Sequence, residues 1–370
     1  MKPKHLFIIL AIILAGGAIY AGLTQLRPQE GPTVQGITSK WANSAHADDT
    51  AEAFTHWDED DPPVIPPSCA KCHSGFGYLD YLGEDGSTPG SVDDAAQTGL
   101  VVTCNTCHNE TAHQATSVKF PSGVEIAELG SEKVCMDCHQ GTQSGDSVNG
   151  AVTGMETDTV YEELGFINVH YAIAAATQLG TEAQGGYEYE GKTYAGRFKH
   201  TEELQTCTDC HSPHGLGITP QACSPCHLNV VDQDDLIDIR QAATGDYDGD
   251  GDTTEGVAGE ISTLHEALYK AIQDYAAATT EAPIIYADAY PYFFTDTNGD
   301  GEADPDEANF GNRYITWTPR LLKAAYNYQF VGKDHGGYAH NPDYLVQLLY
   351  DSIEDLGEKV TTDMSGMARP

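Results

Sequence analysis

All ten cysteines of the chain fall in five pairs of identical spacing, and each pair is followed at once by histidine. The five pentapeptides are CAKCH (Cys69, Cys72, His73), CNTCH (Cys104, Cys107, His108), CMDCH (Cys135, Cys138, His139), CTDCH (Cys207, Cys210, His211) and CSPCH (Cys223, Cys226, His227). Histidine occupies 15 of 370 positions. Its landing behind all five pairs by chance has a probability of roughly 10⁻⁷, so any account of the cysteines must also explain the histidine. A disulfide framework has no use for it. A zinc site wants its ligands on opposed arms, and a His abutting the second Cys rarely serves the same ion. Covalent haem does need it: two thiols add to the two vinyl groups of one macrocycle, and the adjacent imidazole then lies below the iron. The spacing predicts five haem c groups with His73, His108, His139, His211 and His227 as proximal ligands.

Besides these and His5 in the N-terminal apolar segment, nine histidines remain as sources of a sixth ligand. His214 follows the fourth motif in HSPHG, a short turn that can present an imidazole to a neighbouring site. His170 and His200 bracket the long gap between motifs three and four, in VHYAIAAATQLG, which reads as an apolar helix, and in RFKH. His56 in FTHW is flanked by aromatics suited to covering a porphyrin, and His340 in AHNP sits at a helix entrance. The expected distal ligands are His56, His170, His200, His214 and His340, with His113 in reserve. His46 falls in linker sequence, and His265 and His335 are expected to face solvent. Five irons ligated by two histidines each would have no open position, which means electron transfer without catalysis.

The elements around these residues must be sparse. Successive first cysteines are separated by 35, 31, 72 and 16 residues. That leaves too little chain for separate pockets, so the haems must form much of the core. The short last interval puts haems four and five in contact, and the 72-residue gap must hold a structural element. The expected fold is mostly α with much irregular coil: a haem-cored cytochrome domain over residues 56–230 and a small, acidic, helical domain over 231–370. In the latter, Ile261, Leu264, Leu268, Ile272 and Tyr275 form one stripe of an amphipathic helix. A second helix starts after Thr318 with Pro319 in its first turn, through Leu321, Leu322, Ala325 and Tyr326. A third starts near Pro342, through Leu345, Leu348, Leu349, Ile353 and Leu356.

Two acidic loops in this part have calcium-type spacing. DTNGDGEADPDE carries Asp296, Asn298, Asp300, Glu302, Asp304 and Glu307, with Gly301 at the sixth loop position, the full EF-type pattern without the flanking helix of a complete hand. GDYDGDGDTTEG begins equally well with Asp246, Asp248, Asp250, Gly251 and Asp252, but its twelfth position is Val257. Glu255 or Glu260 would have to close that shell. One or two structural calcium ions are therefore expected.

At the N-terminus, Lys2 and Lys4 precede an apolar run from Leu6 to Leu23, so residues 1–27 read as a signal peptide or membrane anchor and 28–55 as linker. The positive-inside bias places the remainder of the chain outside the cytoplasm, whether secreted, periplasmic, at the cell surface or held at a membrane by this segment. Asp and Glu number 56 against 18 Lys and Arg, a formal charge of -38. Such a surface disfavours nucleic acid and anionic lipid and favours cations and basic proteins.

With these motifs in place, the chain resembles the extracytoplasmic multihaem c-type cytochromes that respire on extracellular acceptors, a group that includes cytochromes polymerising into conductive filaments. The segments INVHYAIAAATQLG, GRFKHTEELQTCTDCHSPHG, YPYFFTDTNGDG, TWTPRLLKAAYNYQF and AHNPDYLVQLLYDS carry the resemblance beyond the haem motifs themselves. It implies bis-His haems in a stacked row, low potentials and single-electron transfer to partner cytochromes or external acceptors, and it supports the ligand role of His170, His200, His214 and His340. In filament-forming members a haem can take its sixth ligand from the next subunit, a role that would suit an early His such as His56, so the resemblance allows a homopolymer as well as a membrane-anchored monomer. The alternative is a pentahaem reductase of the nitrite or hydroxylamine type. Those enzymes typically carry one CxxCK site, and no Cys pair here is followed by Lys.

Overall fold

The computed structural model describes residues 32–240 and 245–370; the apolar N-terminal segment and His5 lie outside the described residues. Among the described residues no helix is long and apolar enough to cross a membrane. The first half is coil punctuated by short helices, and three two-stranded antiparallel ribbons occur among the described residues. Helices of one or two turns have little stability of their own. They persist here through caps and tertiary bonds.

The segment expected as linker is partly ordered. Helix α1 (Val34–Ala42) is capped by the Thr33 hydroxyl, which accepts from the Gly36 N–H. Although α1 buries no residue, the Trp41 indole N–H donates to the Val102 carbonyl at 2.9 Å, and the Val102 N–H donates to the His46 carbonyl at 3.0 Å. These two bonds hold residues 41–46 against the chain just before the second motif.

The main core lies in the second half, around α2 (Val257–Tyr275), α3 (Pro319–Gly332) and α4 (Pro342–Gly357). Every residue of the three expected apolar stripes is buried. Thr318 and Asn341 cap α3 and α4 by accepting from Leu321 and Tyr344, each with Pro at the next position, where its missing N–H costs nothing. Trp317, fully buried, packs against Phe166, Phe293 and Tyr314.

This core does not divide at residue 230. Val148, Val169, Ile173 and Tyr187, from the long gap between motifs three and four, belong to it. The gap segment has little regular structure, and side chains of the helices satisfy its backbone: the Val169 N–H donates to Gln329, Asn327 both accepts from the Tyr187 N–H and donates to its carbonyl, and the Tyr326 hydroxyl donates to the Gly185 carbonyl. Leaving any of these buried groups unpaired would cost about 1–3 kcal/mol. The approach is close enough that a Cβ on Gly186 would collide with Leu348. Arg320, 4% exposed, binds Asp158 at 2.8 Å, Asp355 at 2.6 Å and Glu358 at 2.8 Å, tying the gap segment to α4.

Candidate haem and cation sites

Each Cys pair lies in or beside a helical turn, or in an equivalent tight turn, and residues three apart in such a turn share one side. The histidine N–H closes the turn onto the carbonyl of the first cysteine, at 2.8 Å for His108 and His211 and 2.9 Å for His139 and His227. The local sequence explains the turn in two motifs. Thr103 and Thr206 cap it, while Thr106 and Asp209, three residues on, accept from the N–H of the capping residue. In the first motif Pro67 opens the helix Pro67–His73. All ten cysteines are free thiols, as thioether formation requires.

Across from every motif histidine stands one other imidazole. His73 faces His170 with ring centroids 5.7 Å apart, His108 faces His214 at 6.1 Å, His139 faces His46 at 6.3 Å, His211 faces His340 at 6.3 Å and His227 faces His200 at 5.9 Å. A metal bond of about 2.0 Å to each ring nitrogen, with about 1 Å more from nitrogen to ring centre, separates two ligating imidazoles by about 6 Å. All five spacings fit an iron between the rings. The flanking apolar clusters are small, such as Ile65 with Ala70 and Ala96, or Tyr78 with Leu82 and Ala112. A macrocycle at each motif would supply the apolar mass that the chain itself lacks there.

The pairs cross-stitch the chain. The third motif sits beside the first and the fourth: the Cys138 thiol meets that of Cys72, and the Cys135 thiol meets that of Cys207. His139 is deeply enclosed where the third motif meets these neighbours. Burial, then the neighbouring His46, His211 and His340, depress its pKa to about 4, so it stays neutral and free to ligate. Burial depresses His46, His170 and His200 in the same direction.

The structure brings together four of the five expected distal histidines, namely His170, His200, His214 and His340, and in the fifth place puts His46. His56 is exposed, with its Nδ1 bonded to Glu52 on the same helix at 2.8 Å. The aromatic flank that drew attention to it does border a site, but through Trp57, whose ring lies edge-on to His73 at 5.2 Å. His113 and His335 are exposed and face no motif histidine. His265, expected in solvent, is instead stacked on Tyr328 at 4.0 Å and bonded to its carbonyl. The sequence clue to His46 was Trp41, whose indole must find a partner and so folds this segment back.

Both acidic loops wind the same way. In the first, Asp246 accepts from the N–H groups of Gly249 and Gly251, both in left-handed conformation; in the second, Asp296 does so from Gly299 and Gly301. The match extends to the closing carboxylate. Glu260 accepts from the N–H groups of Tyr247 and Asp248, and Glu307 from those of Thr297 and Asn298. Glu260, on the first turn of α2, thus takes the place that Val257 cannot. Oxygens of Asp246, Asp248 and Glu260 lie within 4.8 Å of one another. Buried oxygens of Asp248, Glu255 and Glu307 have no hydrogen-bond partner, as expected of atoms awaiting a cation. The loops sit at opposite ends of α2, since Gln273 near its end donates to the Gly301 carbonyl.

Residues 91–155, which hold the second and third motifs, match the family described as cytochrome c7 and related cytochrome c. The C-type polyheme cytochromes OmcB and OmcC of Geobacter sulfurreducens are each 27% identical to this chain. The matches run over 363 and 359 residues, covering 85% and 83% of this chain and 47% and 45% of theirs. Cytochrome c4 of Azotobacter vinelandii is 27% identical over 189 residues, 49% of this chain and 88% of its own. The chain spans about half the length of the polyheme relatives it matches. No solved structure matches it. With its five CxxCH sites, the chain is a multihaem c-type cytochrome.

Proposed function

We propose that the chain carries electrons outside the cytoplasm through five haem c groups, each held by one motif histidine and one distal histidine. The pairs are His73 with His170, His108 with His214, His139 with His46, His211 with His340 and His227 with His200. The observation that carries this reading is the five-for-five opposition of imidazoles at one iron's width. When bound, haem iron supplies the one-electron ferric and ferrous couple. The chain's part is to anchor each ring by two thioethers, bring two imidazoles to one iron's width, and cross-link the sites so that neighbours stay in contact. With both axial positions taken by the protein, no substrate can bind, which favours a conduit over a reductase.

Attachment of haem c takes place outside the cytoplasm, which agrees with the export-type segment at residues 1–27. Redox partner cytochromes or extracellular acceptors are the partners, and the acidic surface suits those with basic docking faces. Calcium at Asp246, Asp248, Asp250 and Glu260, and at Asp296, Asn298, Asp300 and Glu307, would brace the two ends of α2. All five pairs close within one chain, so assembly into a filament would rest on surface contacts rather than on a borrowed ligand. Electron micrographs of the secreted protein read that directly.

The test is a mass measurement with a carbon monoxide titration of the reduced protein. The mass should exceed that of the polypeptide by five macrocycles, and no iron should bind carbon monoxide. Rapid binding at one iron in five would favour the reductase, and fewer than five macrocycles would end the reading.

A further inference from the structure

His340 differs from the other nine paired histidines in what holds its outer nitrogen. Its Nδ1 donates to both carboxylate oxygens of Asp334, at 2.8 and 2.9 Å. Where other paired rings are held in this way, the acceptor is a neutral backbone carbonyl: Ala53 for His73 at 2.7 Å and Leu216 for His211 at 3.3 Å. Among the described residues no other paired histidine forms an ion pair. The Asp334 side chain is 4% exposed and is fixed at the end of α3, where it also accepts from the Gly336 N–H at 3.2 Å.

We propose that Asp334 is a positioning and tuning residue for the fourth haem site, His211 with His340, and that it lowers the reduction potential of that site alone. This rests on the ligand pairing of the proposed function. A carboxylate accepting the Nδ1 proton gives the imidazole partial imidazolate character, so Nε2 becomes a stronger donor to a metal. A stronger donor favours the ferric over the ferrous state. The buried negative charge acts in the same direction, because reduction removes one positive charge from the iron and a low-dielectric site screens little of the difference. A neutral carbonyl on Nδ1 does neither to the same degree. The fourth site would therefore stand apart within the row, set by a residue from the helical half of the molecule.

The experiment is a potentiometric titration, followed by visible absorbance, of the full haem-loaded protein and of three variants. In D334N, which keeps the volume and an acceptor for Nδ1, one of the five potentials should shift upward while four stay fixed. D334E, which restores a carboxylate, should return that potential toward its original value, a rescue that a merely structural role would not give. A second measurement needs no variant: the low-spin ferric paramagnetic resonance spectrum should contain one component in five with the reduced g anisotropy of an imidazolate-like ligand. H340A separates the tuning from the pairing. One high-spin haem in H340A, with D334N potentials unchanged and five equivalent low-spin signals, overturns the tuning and leaves the ligand pairing standing. Five low-spin haems in H340A overturn the pairing, and the proposal with it.

Discussion

His73 and His170 face each other with their Nε2 atoms 3.5 Å apart and their ring planes inclined by 60°, although 97 residues separate them in the chain. An iron between them needs about 4 Å, so the rings have only to part by a fraction of an ångström. His170 sits at a positive φ of 69°, and Asn168 accepts from its N–H at 2.9 Å. The backbone is thus turned at this residue to aim the ring at the first motif.

Replacing His170 with alanine should open one axial position. One haem in five should become high-spin and bind carbon monoxide, while the other four keep their low-spin spectra. An unchanged spectrum in this variant would show that His170 does not ligate.

The N-terminal pair distinguishes two histidines that look alike in sequence. H46A should convert one haem to high spin, because His46 is the ring opposite His139. H56A should leave all five low-spin, because His56 turns to Glu52 instead. Magnetic circular dichroism of both variants checks the pair, and the reverse outcome would return the ligand role to His56.

Residue type and spacing made legible the features that depend on a single segment. The motif histidines, the stripe of α2 and the proline-started α3 and α4 all arise from local patterns, and the buried residues of these helices are the ones the periodicity marks. His46 was illegible because its role depends on a return of the chain. Its own neighbours, Ser44 to Ala47, look like linker, and the fold-back is revealed by the bonds from the Trp41 indole to the Val102 carbonyl and from the Val102 N–H to the His46 carbonyl. His56 misled for the same reason, since Trp57 and not His56 touches the site. The boundary expected near residue 230 marks where cysteines stop, but packing follows apolar side chains, and those of residues 148–187 lean on the helices.

Calcium should stabilise the helical half, and the first loop should depend on Glu260. A ligand at about 100 times its Kd adds about 2.7 kcal/mol of stability. Chelation should accordingly lower the unfolding temperature of this half, and calcium should restore it. E260Q should weaken one of two calcium sites by tenfold or more in a calorimetric titration, and E307Q should weaken the other. Binding of no calcium by the unaltered protein would rule out both loops as cation sites.

Arg320 is the hub between the gap segment and α4. Its side chain is 5% exposed and meets three carboxylates, those of Asp158, Asp355 and Glu358. R320A strips the cation from Asp355 and Glu358 and leaves Asp158 with Lys359 alone; because these carboxylates keep access to water, the loss should be about 1–3 kcal/mol. Denaturant unfolding of the helical half, followed by Trp317 fluorescence, should show that loss while the haem spectra persist.

The same hub sets an acid limit. Burial alone would raise the pKa of Asp158, but hydrogen bonds from Arg320, Lys359 and Tyr275 outweigh it and bring the value to about 2. An unfolded aspartate titrates near about 3.9. The folded pKa is the lower one, so the stabilisation is fully present above pH ~4 and is lost as pH falls from there through about 2. In D158N this part of the acid dependence should vanish: the variant should be less stable than the parent at neutral pH, and the gap should narrow steadily below pH ~4. A gap that stays constant down to pH ~2 would mean that Asp158 has the same affinity for protons folded and unfolded, and that Arg320 holds it by shape alone.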